Sequence, residues 1–207
     1  TTTRSVLAGF SSALAEQPKG EKERFFSNVY SVYSAIAFVT ASGVILTARL
    51  STRLLAAPEY FEAWRYVPVL TLATTFACLG SFLASIYMVE QRSGATLATT
   101  LLGAACNLAG NALLIPLLGS MGAALSTLLS YIVIWCVRAV HTRALIRISL
   151  GIPRLLASTA LLAAQCVLIE KGVPSWYLWS GICLLAVCAA NCRPMLGALN
   201  HVFRIQR

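Results

Sequence analysis

Two asparagines, a ladder of small hydroxyl residues and three arginines are the side chains best placed to do chemistry. Asn107 and Asn111 lie one helical turn apart in a long apolar run, with Gly103 on the same side and Gly110 adjacent. A carboxamide in hydrocarbon must meet a neighbouring helix or water. The pair therefore either locks two helices together by hydrogen bonding or offers a polar contact to a transported head group. Thr71, Thr74, Cys78, Ser81 and Ser85 recur at spacings of 3, 4, 3 and 4, which is one face of a helix. Small residues at this spacing either let helix backbones approach closely or wet one wall of a cavity. Arg49, Arg53 and Arg65 fall between two apolar runs. Guanidinium groups suit phosphate by bidentate geometry, so these three either contact a phosphate or anchor the chain at a membrane surface.

Catalysis has little raw material here. All seven acids are glutamate, no aspartate is present, and His141 and His201 are the two histidines. The glycine-rich, metalloprotease and serine-hydrolase signatures are missing. The seven cysteines (Cys78, Cys106, Cys136, Cys166, Cys183, Cys188 and Cys192) form no zinc spacing. Cys188 and Cys192 share a helix face, but two thiols make a poor metal site, so the cysteines are expected as small buried packing residues. No catalytic residue, metal or cofactor is expected.

Composition explains what must position these side chains. Of 207 residues, 58% are hydrophobic and 11% charged, and the mean hydropathy is +0.76. Soluble domains run about 45–50% apolar and about 25% charged, so an ordinary soluble domain is excluded. Six membrane helices need roughly 120 apolar-dominated positions, about what this chain holds. Six segments are long and uncharged enough to span: Val29–Ala48, Tyr66–Val89, Ala95–Ile115, Gly119–Val137, Pro153–Ile169 and Trp176–Asn191. Helices are expected, because lipid leaves unpaired backbone groups no partner and nothing alternates like a barrel strand.

The breaks fit a polytopic chain. Glu16–Arg24 is charge-rich and reads as a solvated loop, while Arg49–Arg65 is mildly amphipathic, with Tyr60 and Trp64 as interface anchors. Pro116 and Gly119 predict a very short turn and hence a tight hairpin, with Gly122 sharing in its geometry. Glu90, Arg92 and Arg138 read as interface residues at helix ends, and His141–Gly151 as a basic connector. At the start, Arg4, Val6–Phe10 and Ala13-Leu14-Ala15 have the pieces of a signal peptide, but the apolar run is about half the usual ~7–15 residues. A chain opening Thr1-Thr2-Thr3 reads instead as one that starts partway through a longer protein.

Basic residues set an orientation. Numbering the gaps alternately, one side collects 12 of the 16 Lys and Arg and the other holds Arg49, Arg53, Arg65 and Lys171. By the positive-inside rule the richer side is cytoplasmic, which places both ends of the chain there. The excess of cations is thus assigned to membrane orientation, and no nucleic-acid partner is expected. The expected organisation is a cytoplasmic lead-in and loop (1–28), four membrane helices (29–137), a basic cytoplasmic connector (138–152), two further membrane helices (153–192) and a cytoplasmic tail (193–207).

Four stretches, taken in order, carry a resemblance: FFSNVYSVYSAIAF at Phe25–Phe38, PEYFEAWRYVPVL at Pro58–Leu70, GSFLASIYMVEQRS at Gly80–Ser93, and GAACNLAGNALLIPLLGSMGAALSTLLSYIVIW at Gly103–Trp135. The most specific piece is the run Asn107, Asn111, Pro116, Gly119, Gly122, Ala123 and Ala124. Together, Phe25–Arg143 resembles the C-terminal portion of bacterial oligosaccharide flippases of the multidrug/oligosaccharidyl-lipid/polysaccharide exporter superfamily. The resemblance implies an all-α polytopic membrane bundle, the C-terminal part of a two-lobe transporter with two extra C-terminal helices. It implies flipping of undecaprenyl-pyrophosphate-linked oligosaccharide across the bacterial inner membrane. The partners it implies are membrane lipid, that lipid-linked substrate, and an N-terminal lobe or partner chain that these residues do not supply. Asn107, Asn111, Ser81 and Ser85 would line the substrate path, and Arg49, Arg53 and Arg65 would be outer-side phosphate contacts.

Three alternatives stand beside this reading. The cargo could be lipid II or a drug, moved by a relative in the same superfamily, although drug exporters often use buried carboxylates and none lies mid-span here. A natively six-helix scaffold subunit is another. A membrane glycosyltransferase or polymerase, which would normally show acidic or histidine-containing loops, is disfavoured by the missing aspartate.

Overall fold

The computed structural model describes residues 18–171 and 175–205. The signal-like stretch and Glu16 lie outside the described residues. Among the described residues every regular element is helical: α1 (Lys19–Leu55), a 3-10 segment (Pro58–Arg65), α2 (Val67–Val89), α3 (Ser93–Leu118), α4 (Ser120–Arg143), α5 (Ile152–Glu170) and α6 (Trp176–Ile205). All six α-helices contain stretches long and apolar enough to cross a membrane, so the chain has the make-up of a multi-pass membrane protein.

Several boundaries differ from the sequence expectation. Lys19–Arg24 is the first turns of α1 and not a solvated loop. Glu, Lys and Arg are good helix formers, and the turn is held by an ion pair from Lys22 Nζ to Glu90 Oε1 at 3.4 Å. The other end of α1 runs on to Leu55 and stops where Ala56 turns extended, two residues before Pro58. Helix α4 continues to Arg143, so the connector is residues 144–151 rather than 138–152. Residues 193–205 continue α6, where a separate tail was expected.

The α3–α4 hairpin is tighter than a Pro116–Gly119 turn. Pro116 lies inside α3, and Gly119 alone separates the helices at φ 58°, ψ −136°, a conformation that costs glycine little. About one turn on, Gly122 lies so close to the Leu114 carbonyl that a β-carbon would collide with backbone.

Packing sorts the helices into two groups, α1 with α5 and α6, and α2 with α3 and α4, joined mainly along α1–α2. The shared core takes Tyr30, Phe38 and Ile45 from α1, Phe76, Leu79 and Leu83 from α2, Trp135 from α4 and Leu162 from α5. At one end of the α1–α2 seam, the rings of Phe26, Tyr30 and Tyr33 surround Phe82 at 5.3–6.2 Å between centroids. Trp135 Nε1 donates to Tyr30 Oη across the seam at 3.1 Å. Helix α3 is peripheral, with Leu101, Leu108, Leu113 and Leu117 exposed. In hydrocarbon such a face needs no cover, since lipid tails are as apolar as leucine.

Parallel helices α1 and α5 are joined by polar contacts along their length. Arg154 Nη1 and Nη2 donate to the hydroxyls of Ser31 and Ser34, each at 2.7 Å. Ser42 Oγ donates to Gln165 Oε1 at 2.8 Å, and Gln165 Nε2 donates to the Ser180 carbonyl of α6 at 2.9 Å. Arg49 Nη2 donates to the Ile169 carbonyl at 3.0 Å. The last two spans are therefore fastened to the first.

Candidate functional site

Away from the aromatic cluster, the α1–α2 seam opens. Its facing residues are small there: Ala37, Thr40 and Ala41 on α1 meet Thr71, Thr74 and Cys78 on α2, leaving an open cavity of about 330 Å³. Tyr33, Ile36 and Val44 complete its walls. The walls are mainly apolar and uncharged, with the hydroxyls of Thr40, Thr71, Thr74 and Thr75 set among them. Thr71 Oγ1 donates to the Val67 carbonyl at 2.7 Å, Thr74 Oγ1 to the Thr71 carbonyl at 2.9 Å and Thr75 Oγ1 to the same carbonyl at 2.8 Å. With their hydrogens so committed, these hydroxyls present lone pairs outward as acceptors. Such hydroxyls can receive hydroxyl or amide donors.

The hydroxyl stripe thus divides. Thr71, Thr74 and Cys78 border the cavity, whereas Ser81 and Ser85 lie beyond its walls, with Ser81 exposed and Ser85 Oγ bonded to the Phe82 carbonyl at 2.7 Å.

Asn107 and Asn111 are brought together, but against α4. Asn111 Nδ2 donates to Asn107 Oδ1 at 3.1 Å, Asn107 Nδ2 to Thr127 Oγ1 at 3.4 Å, and Ser126 Oγ to the Asn107 carbonyl at 2.8 Å. Of the two roles open to the pair, this geometry performs the first, a polar lock across the Gly119 hairpin. Asn111 Oδ1 is buried without a partner.

The three outer arginines have separate surroundings. Arg49 is stacked over Trp64 at 4.1 Å and Trp176 at 4.9 Å while it holds the Ile169 carbonyl. It is occupied as a clamp at the end of α5. Arg53 borders a cavity of about 550 Å³ with Pro58 and Phe61, and Arg65 pairs with Glu62 at 3.7 Å. Of the expected interface anchors, Tyr60 is exposed while Trp64 packs on the core and on Arg49.

Arg138 corrects the sequence reading most sharply. It is an interior residue, 6% exposed, and not an interface residue. Its Nη1 donates to the Gly80 carbonyl at 2.9 Å, Nε to Thr99 Oγ1 at 3.0 Å and Nη2 to Thr100 Oγ1 at 3.0 Å. One guanidinium thereby joins α2, α3 and α4. The signal for this was the apolar continuation past it, Ala139-Val140, which already placed it inside the helix. Glu90, read the same way, is the partner of Lys22.

The cysteines depart from expectation as well. All seven are free thiols, none is fully buried, and Cys78, Cys136 and Cys192 are exposed. No group of three or more potential metal ligands occurs among the described residues.

Comparison of the chain with protein-family models, with curated proteins and with solved structures gives no match.

Proposed function

We propose that this chain is the C-terminal part of a membrane transporter that flips undecaprenyl-pyrophosphate-linked oligosaccharide across the bacterial inner membrane. The observation that carries the transport reading is the open, uncharged cavity between α1 and α2, with threonine hydroxyls set in its mainly apolar walls. The cargo rests on the ordered resemblance of Phe25–Arg143 to oligosaccharide flippases. A pyrophosphate and its sugars cannot cross ~30 Å of hydrocarbon without a polar route. The threonine hydroxyls on the cavity wall can accept from sugar hydroxyls, and the lipid tail stays in the bilayer while the head group passes. The proposed cycle is the rocking of this lobe against a second one about the cavity. In the proposed orientation both ends of the chain face the cytoplasm. Arg138 lies in the bundle interior, and setting it aside changes the 12:4 split to 11:4, so the bias persists.

The test combines size and phenotype. An antibody to the C-terminal residues should detect a native polypeptide near twice 22.2 kDa or above in membranes. Deleting its gene should trap lipid-linked oligosaccharide on the inner leaflet and abolish the surface polysaccharide. Complementation by the native protein should succeed, and by Thr74→Trp, which fills the cavity, should fail. A 22 kDa band together with undiminished surface polysaccharide overturns the reading.

A further inference from the structure

The connector between α4 and α5 builds a second site. Residues 146–150 alternate strictly, with Ile146, Ile148 and Leu150 buried at 3–5% exposure and Arg147 and Ser149 turned outward. The segment is pinned to α1: the Arg147 backbone N–H donates to Glu23 Oε1 at 3.2 Å, and that of Ser149 donates to Ser27 Oγ at 2.9 Å. This pinning sets Arg147 and Ser149 beside Arg143, the last residue of α4, around a cavity of about 390 Å³. The ion pairs among the described residues are Lys22–Glu90 and Arg65–Glu62, so neither guanidinium has an acidic partner among them. Glu23 is the acid that reaches this segment, and it is engaged by a backbone N–H.

From this arrangement we infer that Arg143, Arg147 and Ser149 form a recognition site for a phosphate group, presented by a phospholipid head group. Two guanidinium groups without an acidic partner among the described residues, on and beside a segment pinned to α1, suit phosphate oxygens by geometry as well as charge. Position selects the lipid source. Helix α4 has 24 residues, about 36 Å at 1.5 Å per residue, against ~30 Å of hydrocarbon. Its final residue therefore stands at head-group depth, where basic pockets between spans take anionic lipid heads. The site requires the spanning helices but not the proposed cargo, and its readout is binding, so its failure and the failure of the flippase reading are separable.

The experiment uses the full native polypeptide in detergent, titrated with short-chain phosphatidylglycerol, with diacylglycerol of the same chain length, and with inorganic phosphate, and read by native mass spectrometry and thermal shift. Phosphatidylglycerol should bind and diacylglycerol should not. Binding of inorganic phosphate with equal affinity, lost in the same variants, supports phosphate recognition and assigns a soluble source. Arg143→Gln with Arg147→Gln should weaken phosphatidylglycerol binding by roughly 30-fold, while Arg92→Gln, exposed outside this cavity, should leave it unchanged. Ser149→Trp fills the cavity with both arginines intact and should also abolish binding, which keeps the test open if the double variant does not fold. Equal binding of diacylglycerol, native-like binding by the double or the Ser149→Trp variant, or equal loss in Arg92→Gln overturns the site.

Discussion

Arg138 Nη1 and the carbonyl of Gly80 meet at 2.9 Å inside the bundle, which fastens α4 to the interior of α2 by a buried cation. Thr99 and Thr100 bring α3 to the same guanidinium. The group of helices that carries the asparagine lock is thus held at two levels, by neutral amides along one stretch and by a charge along another. All the acceptors of Arg138 are neutral, so its stability depends on their number.

That dependence is testable by the order of two variants. Thr99→Val with Thr100→Val leaves the guanidinium buried with one acceptor, and breaking a buried charged network in this way costs about 3–5 kcal/mol. Arg138→Met removes the charge itself, while the threonine hydroxyls keep their bonds to the Ala95 and Thr96 carbonyls. Its cost should be less than half as large. Unfolding in detergent gives the order, and a greater loss in Arg138→Met contradicts the account.

Two glycines should respond differently to one added methyl group. A β-carbon at Gly122 meets the backbone carbonyl of Leu114, whereas one at Gly103 meets the outer side-chain atoms of Ile134. Gly122→Ala should destabilise by about 1–3 kcal/mol or more, with no side-chain truncation to relieve it. Gly103→Ala should be relieved by Ile134→Ala. A double-mutant cycle on melting temperature measures this, and independence of Gly103 and Ile134 is the contrary result.

Gln165 joins Ser42 to Ser180 with all three side chains fully buried. Gln165→Leu alone should cost about 1–3 kcal/mol, because it strands polar groups of both partners. The triple variant Ser42→Ala, Gln165→Leu and Ser180→Ala should be more stable than that single variant. Chemical unfolding of the two proteins side by side decides it; a less stable triple variant would show that the bridge does more than satisfy its own polar atoms.

Orientation has its own check. In a background with the seven cysteines replaced, Ser149→Cys should react with an impermeant maleimide only after the membrane is opened. Glu59→Cys should react in intact spheroplasts. The reverse pattern inverts the assigned topology.

Helix number and type were legible in the residues because hydrocarbon imposes one rule on every span: apolar length with backbone bonds satisfied internally. The Asn107–Asn111 lock was legible as one of two roles, since a carboxamide in lipid must find a partner and the hairpin offers one next door. Gly119 was legible as a turn, although the structure narrows the turn to that residue and leaves Pro116 in the helix. Helix ends were less so, because a charged residue such as Lys22 reads as solvent-facing until its partner is known.

What the amino-acid sequence determined by itself is therefore local: six apolar spans, their breaks, and the need of each embedded polar group for a partner. Which partner it takes was decided by tertiary structure alone, because those choices join residues far apart in the chain: Arg138 with Gly80 and Thr99, Ser42 with Gln165, Lys22 with Glu90. The cavity between α1 and α2 belongs to the same class, as does the pinning of Arg147 and Ser149 to Glu23 and Ser27. Each exists only where packing brings distant segments together, and hydropathy along one stretch of sequence carries no record of what lies across the seam.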